Sequence, residues 1–181
     1  QRTLDGELTA LRRQIEEVER VAPVLGARFR SWWARIQDLA EQSDVLQPCF
    51  SHGDFTSAQV VSDGARNALV DFDTLCQAEP ALDLGQFLAY LRVAAKKARR
   101  AAASPPNPIE ERLSAQFLKA YVAASGDRLG SEGRLRARIS VYKIVSLIRM
   151  ALHSWQQIKP ARLENVVAVL EDEVAQFSEF R

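Results

Sequence analysis

The chain has 181 residues, 24 basic against 23 acidic, with 47% hydrophobic and 26% charged side chains. That composition excludes disordered, collagenous and fibrous classes, and a chain of this length buries roughly 70% of its unfolded surface, enough for a core without disulfides or structural metal. A net charge of +1 supplies no global field for nucleic acid or an anionic membrane, so neither is expected as a partner.

The first third reads as two helices. Leu4, Leu8, Leu11, Ile15 and Val18 recur at intervals of four and three, one helical stripe, with Arg12, Arg13, Glu16, Glu17, Glu19 and Arg20 on the other side. Pro23 and Gly26 read as an interruption, after which Phe29, Trp32, Trp33, Ile36 and Leu39 resume helical spacing; the tryptophans read as core packing. From 48 to about 82 the helical period stops. Gln59-Val60-Val61 and Ala68-Leu69-Val70 are short β-type runs, and Ser62-Asp63-Gly64 between them is turn chemistry, so a hairpin is expected. Helical spacing returns at 83–101 with Leu84, Phe87, Leu88 and Leu91 inward. A proline-rich connector follows at 104–108, then a helix with Leu113, Phe117, Leu118, Tyr121 and Val122 that Gly126 closes. Residues 134–155 are apolar on nearly every side and predict a central helix. Pro160 opens a last amphipathic helix with Leu163, Val166, Val167, Leu170, Val174 and Phe177. The expected class is mainly α (α+β), helical with one small β-hairpin.

Three further features bear on setting. Cys49 and Cys76 have no framework spacing and suit a reducing compartment, which points to the cytoplasm. The longest apolar stretch, 144–152, is broken by Ser146 and Arg149, far short of a membrane span, and no signal-like apolar region stands at the N-terminus. The chain starts at Gln1 and its one methionine is Met150, which reads as a processed chain or a piece of a longer one.

Chemistry concentrates in the non-helical segment. It runs Ser51-His52-Gly53-Asp54-Phe55-Thr56-Ser57-Ala58-Gln59-Val60-Val61 and later Leu69-Val70-Asp71-Phe72-Asp73. Folding the hairpin about Gly64 carries Gln59 and Asp71 to its open end, and Asp54 enters that end on the preceding loop. Two carboxylates and an amide oxygen thus converge. The trio suits phosphoryl transfer, where positioning and charge neutralisation dominate. Magnesium takes one or two carboxylates plus phosphate oxygens and water, so Asp71 and Gln59 are candidate ligands. Asp54 is then the candidate general base for an acceptor hydroxyl.

His52-Gly53-Asp54-x-x-x-x-Gln59 resembles the catalytic loop H-G-D-x-x-x-x-N of the aminoglycoside phosphotransferase and choline kinase group. Leu69-Val70-Asp71-Phe72-Asp73 is similar to the metal-binding strand of those enzymes, and Glu79-Pro80-Ala81-Leu82-Asp83-Leu84 to their G-D-P-x-x-D-L segment. The resemblance implies a protein-kinase-like C-terminal lobe that uses ATP and Mg²⁺ to phosphorylate a small-molecule hydroxyl. It makes Asp54 the base, Asp71 the main metal ligand and Gln59 the second. His52 becomes a structural support of the loop, and Asp83 its brace from the start of the next helix, where an acid also suits the dipole. Gln59 is one methylene longer than the usual asparagine, as in maltokinase-like branches, and Thr56-Ser57-Ala58 replaces the frequent H-P-G. The family's β-rich nucleotide lobe has no counterpart here: the glycines at 126, 130 and 133 do not form G-x-G-x-x-G, and no G-K-[ST] occurs. The 181 residues are therefore expected to be the C-terminal lobe alone, inactive without its N-terminal partner lobe. The acceptor stays open among choline-like amines, aminoglycosides, sugars, amino acids and nucleosides, and oligomeric state is not readable.

Singly, Asp54 reads as a turn cap and Asp71 as a strand end; their ordered combination favours the site. Asp73 reads either as support behind the metal ligands or as a solvated acid. His153 is read as a packed or partly exposed helix residue and Cys76 as a small filler. Lys96, Lys97, Arg99 and Arg100 read as a solvated helix end, and Glu164, Glu171, Asp172 and Glu173 as a polar face in preference to a contact for a cationic substrate. The alternatives are a non-catalytic kinase-like binding or regulatory module, and a helical interaction domain with a fortuitous motif.

Overall fold

The stripe expected on the first helix forms. In the computed structural model, which describes residues 1–102, 109–129 and 131–176, α1 (Leu4–Val21) buries Leu4, Leu8, Leu11, Ile15 and Val18 on one side. Thr3 caps it, its hydroxyl accepting from the Gly6 N–H at 3.2 Å. The connector expected at 104–108 and Phe177 lie outside the described residues.

Pro23 and Gly26 do not interrupt the second helix but open it: α2 spans Pro23–Glu41. Proline is favoured at the first helical position because its missing N–H has no partner there anyway. Gly26 lies where α2 crosses α1, and a Cβ placed on it would meet Glu19 Cα at 2.5 Å. A helix-interior Gly→Ala change ordinarily stabilises by about 0.5–1 kcal/mol; here the sign should reverse. Gly26→Ala is expected to destabilise by about 1–3 kcal/mol through overpacking, read as a lower urea midpoint at unchanged slope. Farther along α2, Phe29, Trp32 and Ile36 are buried, and the Trp33 indole N–H donates to the Leu8 carbonyl at 3.1 Å.

The strands are short. β1 (Cys49–Ser51) pairs antiparallel with β4 (Cys76–Ala78), a ladder absent from the sequence expectation, and β2 (Val60–Ser62) pairs antiparallel with β3 (Asn67–Leu69) as the expected hairpin. Its register sets Val60 opposite Leu69 and Ser62 opposite Asn67. The Asp63 carboxylate closes the turn by accepting from the Ala65 and Arg66 N–H groups, which hold its pKa below the usual carboxylate value.

The remaining helices are α3 (Ala81–Ala102), α4 (Ile109–Ser125), α5 (Glu132–Gln156) and α6 (Pro160–Gln176). As its all-round apolarity implies, α5 is the central rod. It packs against α3, α6, α1 and α2 and buries Ile139, Tyr142, Val145, Leu147, Ile148 and Leu152 around its circumference. On α4, Leu118 is buried and Leu113 is exposed, because the edge helix has only one covered side. Ion pairs fasten the edges: Lys96–Asp172 at 2.6 Å, Arg100–Glu164 at 3.1 Å and Arg28–Glu171 at 2.5 Å. Glu173, buried, pairs with Lys143 at 2.5 Å and Arg92 at 3.4 Å. The acids of α6 are thus matched to protein cations, and the basic end of α3 is largely tied down. No described helix is long and apolar enough to cross a membrane.

Candidate active site

The two strand pairs and the start of α3 meet at the loop 52–56. Asp83, in the first turn of α3, accepts from the His52 N–H at 2.6 Å and the Gly53 N–H at 2.9 Å. Two backbone donors that no strand pairs are satisfied by one carboxylate, and charge-assisted bonds of this kind are about twice as strong as neutral ones. Gly53 has φ of +82°, and a Cβ there would meet the Thr74 carbonyl oxygen at 2.3 Å. Only glycine fits between His52 and Asp54. The Gly53 carbonyl in turn accepts from Arg2 Nη1 at 2.6 Å, and Thr74 Oγ1 donates to the His52 carbonyl at 2.8 Å.

His52 is buried and joins the loop to the hairpin. Its Nε2 lies 2.9 Å from the Val70 carbonyl; a carbonyl only accepts, so this nitrogen carries the proton. Nδ1 is buried without a partner among the described residues. Val70 also donates its N–H to the Gln59 carbonyl at 3.1 Å. One residue therefore bonds both the loop of Asp54 and the strand start at Gln59, and Asp71 follows it directly. These bonds tie the loop that carries Asp54 to the end of the hairpin where Gln59 and Asp71 stand.

Each expected residue has its own setting there. Asp71 is exposed and left-handed, with φ 68° and ψ 57°, a conformation that aspartate tolerates better than most residues. The Asp54 carboxylate accepts from Gln86 Nε2. Gln86 follows Asp83 by three residues, hence shares its helix face, and Tyr90 continues that face one turn on; the helical spacing from Asp83 was a signal that could have found both. The Gln59 amide oxygen accepts from the Thr56 N–H at 3.1 Å and from the Thr56 hydroxyl, while Thr56 Oγ1 accepts from the Ala58 N–H at 3.2 Å, a capping box about one 3₁₀ turn. Asp73 is exposed. Phe55, beside Asp54, stacks on Phe87 with ring centres 5.2 Å apart, and Phe87 meets Phe117 at 4.4 Å. This anchors the loop to α3 and α4.

Behind the loop, Glu79 occupies the place of the family's aspartate. It accepts two bonds from Arg138, at 2.6 and 2.7 Å, one from the Tyr142 hydroxyl at 3.1 Å and one from the Leu46 N–H at 3.0 Å. Burial, and then the Glu79 charge, push the Tyr142 hydroxyl pKa upward.

A cavity of about 510 Å³ opens on the α3 side of Asp54, lined by Asp54, Gln86, Tyr90, Arg149 and Arg162 among others. His153, exposed, lies on its rim. Gln59 and Asp71, on the hairpin, do not line it. Asp54 thus faces the cavity, while the oxygen donors Gln59 and Asp71 stand outside it on the hairpin.

The sequence profile of the phosphotransferase enzyme family matches residues 2–140, and the chain belongs to that family. Solved structures agree in fold. A glucosamine kinase in complex with glucosamine, ADP and inorganic phosphate superposes with a TM-score of 0.67 at 19% identity, over 95% of this chain and 47% of that one. Another crystal form of glucosamine kinase gives 0.66 at 19% identity, over 95% and 46%. A Plasmodium vivax ethanolamine kinase gives 0.52 at 17% identity, over 82% and 39%. The chain thus spans less than half the length of these kinases. No curated protein sequence matches it.

Proposed function

We infer that this chain is the C-terminal lobe, 1–181, of an ATP- and Mg²⁺-dependent phosphotransferase acting on a hydroxyl of a small molecule. The observation that supports the reading is Val70, whose carbonyl and N–H bond the His52 ring and the Gln59 carbonyl and so tie the loop of Asp54, beside a cavity of about 510 Å³, to the hairpin that carries Gln59 and Asp71. Asp54 would orient and accept the proton of the acceptor hydroxyl, with Gln86 holding its carboxylate.

The oxygen-only donors on the hairpin fit magnesium. Among the described residues no group of three or more His, Cys, Asp and Glu side chains could hold a metal, so a cation here would rely on one carboxylate, one amide and phosphate and water oxygens, the pattern magnesium favours. Asp71 would be the main ligand, and Gln59 the second on releasing the Thr56 hydroxyl. When bound, the ion neutralises phosphate charge. Asp83 and His52 would keep the loop in place. Nucleotide-covering groups would come from a further lobe, and the working compartment would be the cytoplasm.

Acceptor-dependent ATP turnover of the full-length protein, with and without the Asp54 carboxylate, tests the assignment; unchanged turnover in the Asp54 variant would sink it. The 181 residues alone should show no useful phosphorylation, and robust ATP-dependent product formation by them would contradict the placement of the nucleotide groups elsewhere. A non-catalytic module would show no acceptor-dependent turnover in the intact protein.

A further inference from the structure

The cavity beside Asp54 is richer in cations than a neutral or amine-bearing acceptor needs. Arg2, Arg149 and Arg162 line it, against the single carboxylate of Asp54. Arg2 and Arg149 share one counter-ion, Glu7: Arg2 Nε donates to it at 3.0 Å and Arg149 Nη2 donates to its other oxygen. Two guanidiniums against one carboxylate leave a positive wall, and burial together with the neighbouring Arg2 charge pulls the Arg149 pKa down to about 10. Arg162 has no carboxylate partner among the described residues and shares the cavity wall with Tyr90.

The same sign continues next door. A second cavity, of about 680 Å³, shares Tyr90, Met150 and Arg162 with the first and adds Lys97, Lys159, Arg100 and one carboxylate, Glu164, which among the described residues pairs with Arg100 alone of these three cations. These cations stand on α3, α5, the α5–α6 connector, α6 and the N-terminal residues, on the cavity side of Asp54. The candidate metal ligands on the hairpin line neither cavity, so a nucleotide held there would not use up this charge. Arginine's planar fork suits carboxylate and phosphate, and a half-buried, unneutralised guanidinium would repel an ammonium group.

We propose that the acceptor is a hydroxylated small molecule bearing an anionic group, a carboxylate or a phosphate, which Arg162 and Arg149 seat so that its hydroxyl faces Asp54. The proposal rests on the phosphotransferase reading and narrows its acceptor class. Arg162, at the junction of the two cavities, determines specificity.

The test uses full-length protein and four sugars that differ in one group: glucose, glucosamine, glucuronate and glucose 6-phosphate. Calorimetry measures binding and ADP release measures turnover. Glucuronate or glucose 6-phosphate should bind at least about tenfold more tightly than glucose, the scale of one charge-assisted contact, and glucosamine no better than glucose. The stronger anion distinguishes carboxylate from phosphate. Arg162→Gln should erase the anionic preference, weakening the anionic sugar at least about tenfold more than it weakens glucose; Arg162→Lys should restore part of it. Preference for glucose or glucosamine, failure of both anionic sugars to bind, or an equal loss for all four sugars in Arg162→Gln would overturn the proposal. Arg162-dependent binding of an anionic sugar with no turnover of any acceptor would keep the anion site and defeat the kinase reading. Phosphorylation of glucosamine as the best substrate would do the reverse.

Discussion

Asp54→Ala is expected to lower acceptor-dependent ATP turnover about 10²–10⁴-fold, the range for loss of a positioned proton acceptor, with the KM values little changed. The loss should fall on kcat because the carboxylate acts on the hydroxyl only as the phosphoryl group moves. Alanine also deprives Gln86, 6% exposed and donating to Asp54, of its acceptor, and an unsatisfied buried amide costs about 1–3 kcal/mol. Asp54→Asn separates the two effects. Its amide oxygen still accepts from Gln86, so stability should stay near the parent while kcat falls as far as in the alanine variant. An asparagine variant with parental kcat would show that the carboxylate is no base. Thermal unfolding of both variants beside steady-state kinetics decides it.

Glu79→Ala is expected to destabilise the chain by about 3–5 kcal/mol, because breaking a buried pair strands the remaining charge. Glu79 is 5% and Arg138 4% exposed, and the carboxylate accepts four hydrogen bonds, including one from the Leu46 N–H. Against a typical total stability of 5–15 kcal/mol the loss should lower Tm by on the order of 6–20 °C. Pairing it with Arg138→Met should cost clearly less than the two changes summed, since the stranded charge is then gone. Strict additivity would show that Glu79 acts through its other contacts. Loop geometry should suffer too: Glu79 directly follows β4 and begins the turn into α3, two residues before the helix that carries Asp83, Gln86 and Tyr90.

The anionic character of the cavity's expected ligand was hidden from sequence reading. Arg2, Arg149 and Arg162 stand 147 and 13 residues apart, on the N-terminal residues, α5 and α6. No local period joins them. The acids of α6, Glu164, Glu171, Asp172 and Glu173, read from the sequence as a polar face in preference to a contact for a cationic substrate, but not with their partners. The fold spends them on Arg100, Arg28, Lys96, Arg92 and Lys143.

What the amino-acid order determined by itself was whatever depends on neighbours along the chain. The α1 stripe, the all-round apolar α5 and the hairpin about Asp63-Gly64 follow from periods of 3.6 and 2 and from turn chemistry. So does the bond that sets Val70 against Gln59, since a hairpin needs only a turn and a register to bring its ends together. Tertiary structure alone decided the β1–β4 ladder, whose strands lie 27 residues apart in register, and the capping box that engages Gln59 through Thr56. It likewise decided the Glu79–Arg138 pair and the excess of arginine around the cavity. These depend on which helix faces pack together, and charge is matched or left unmatched only once that packing brings distant side chains within a few ångströms.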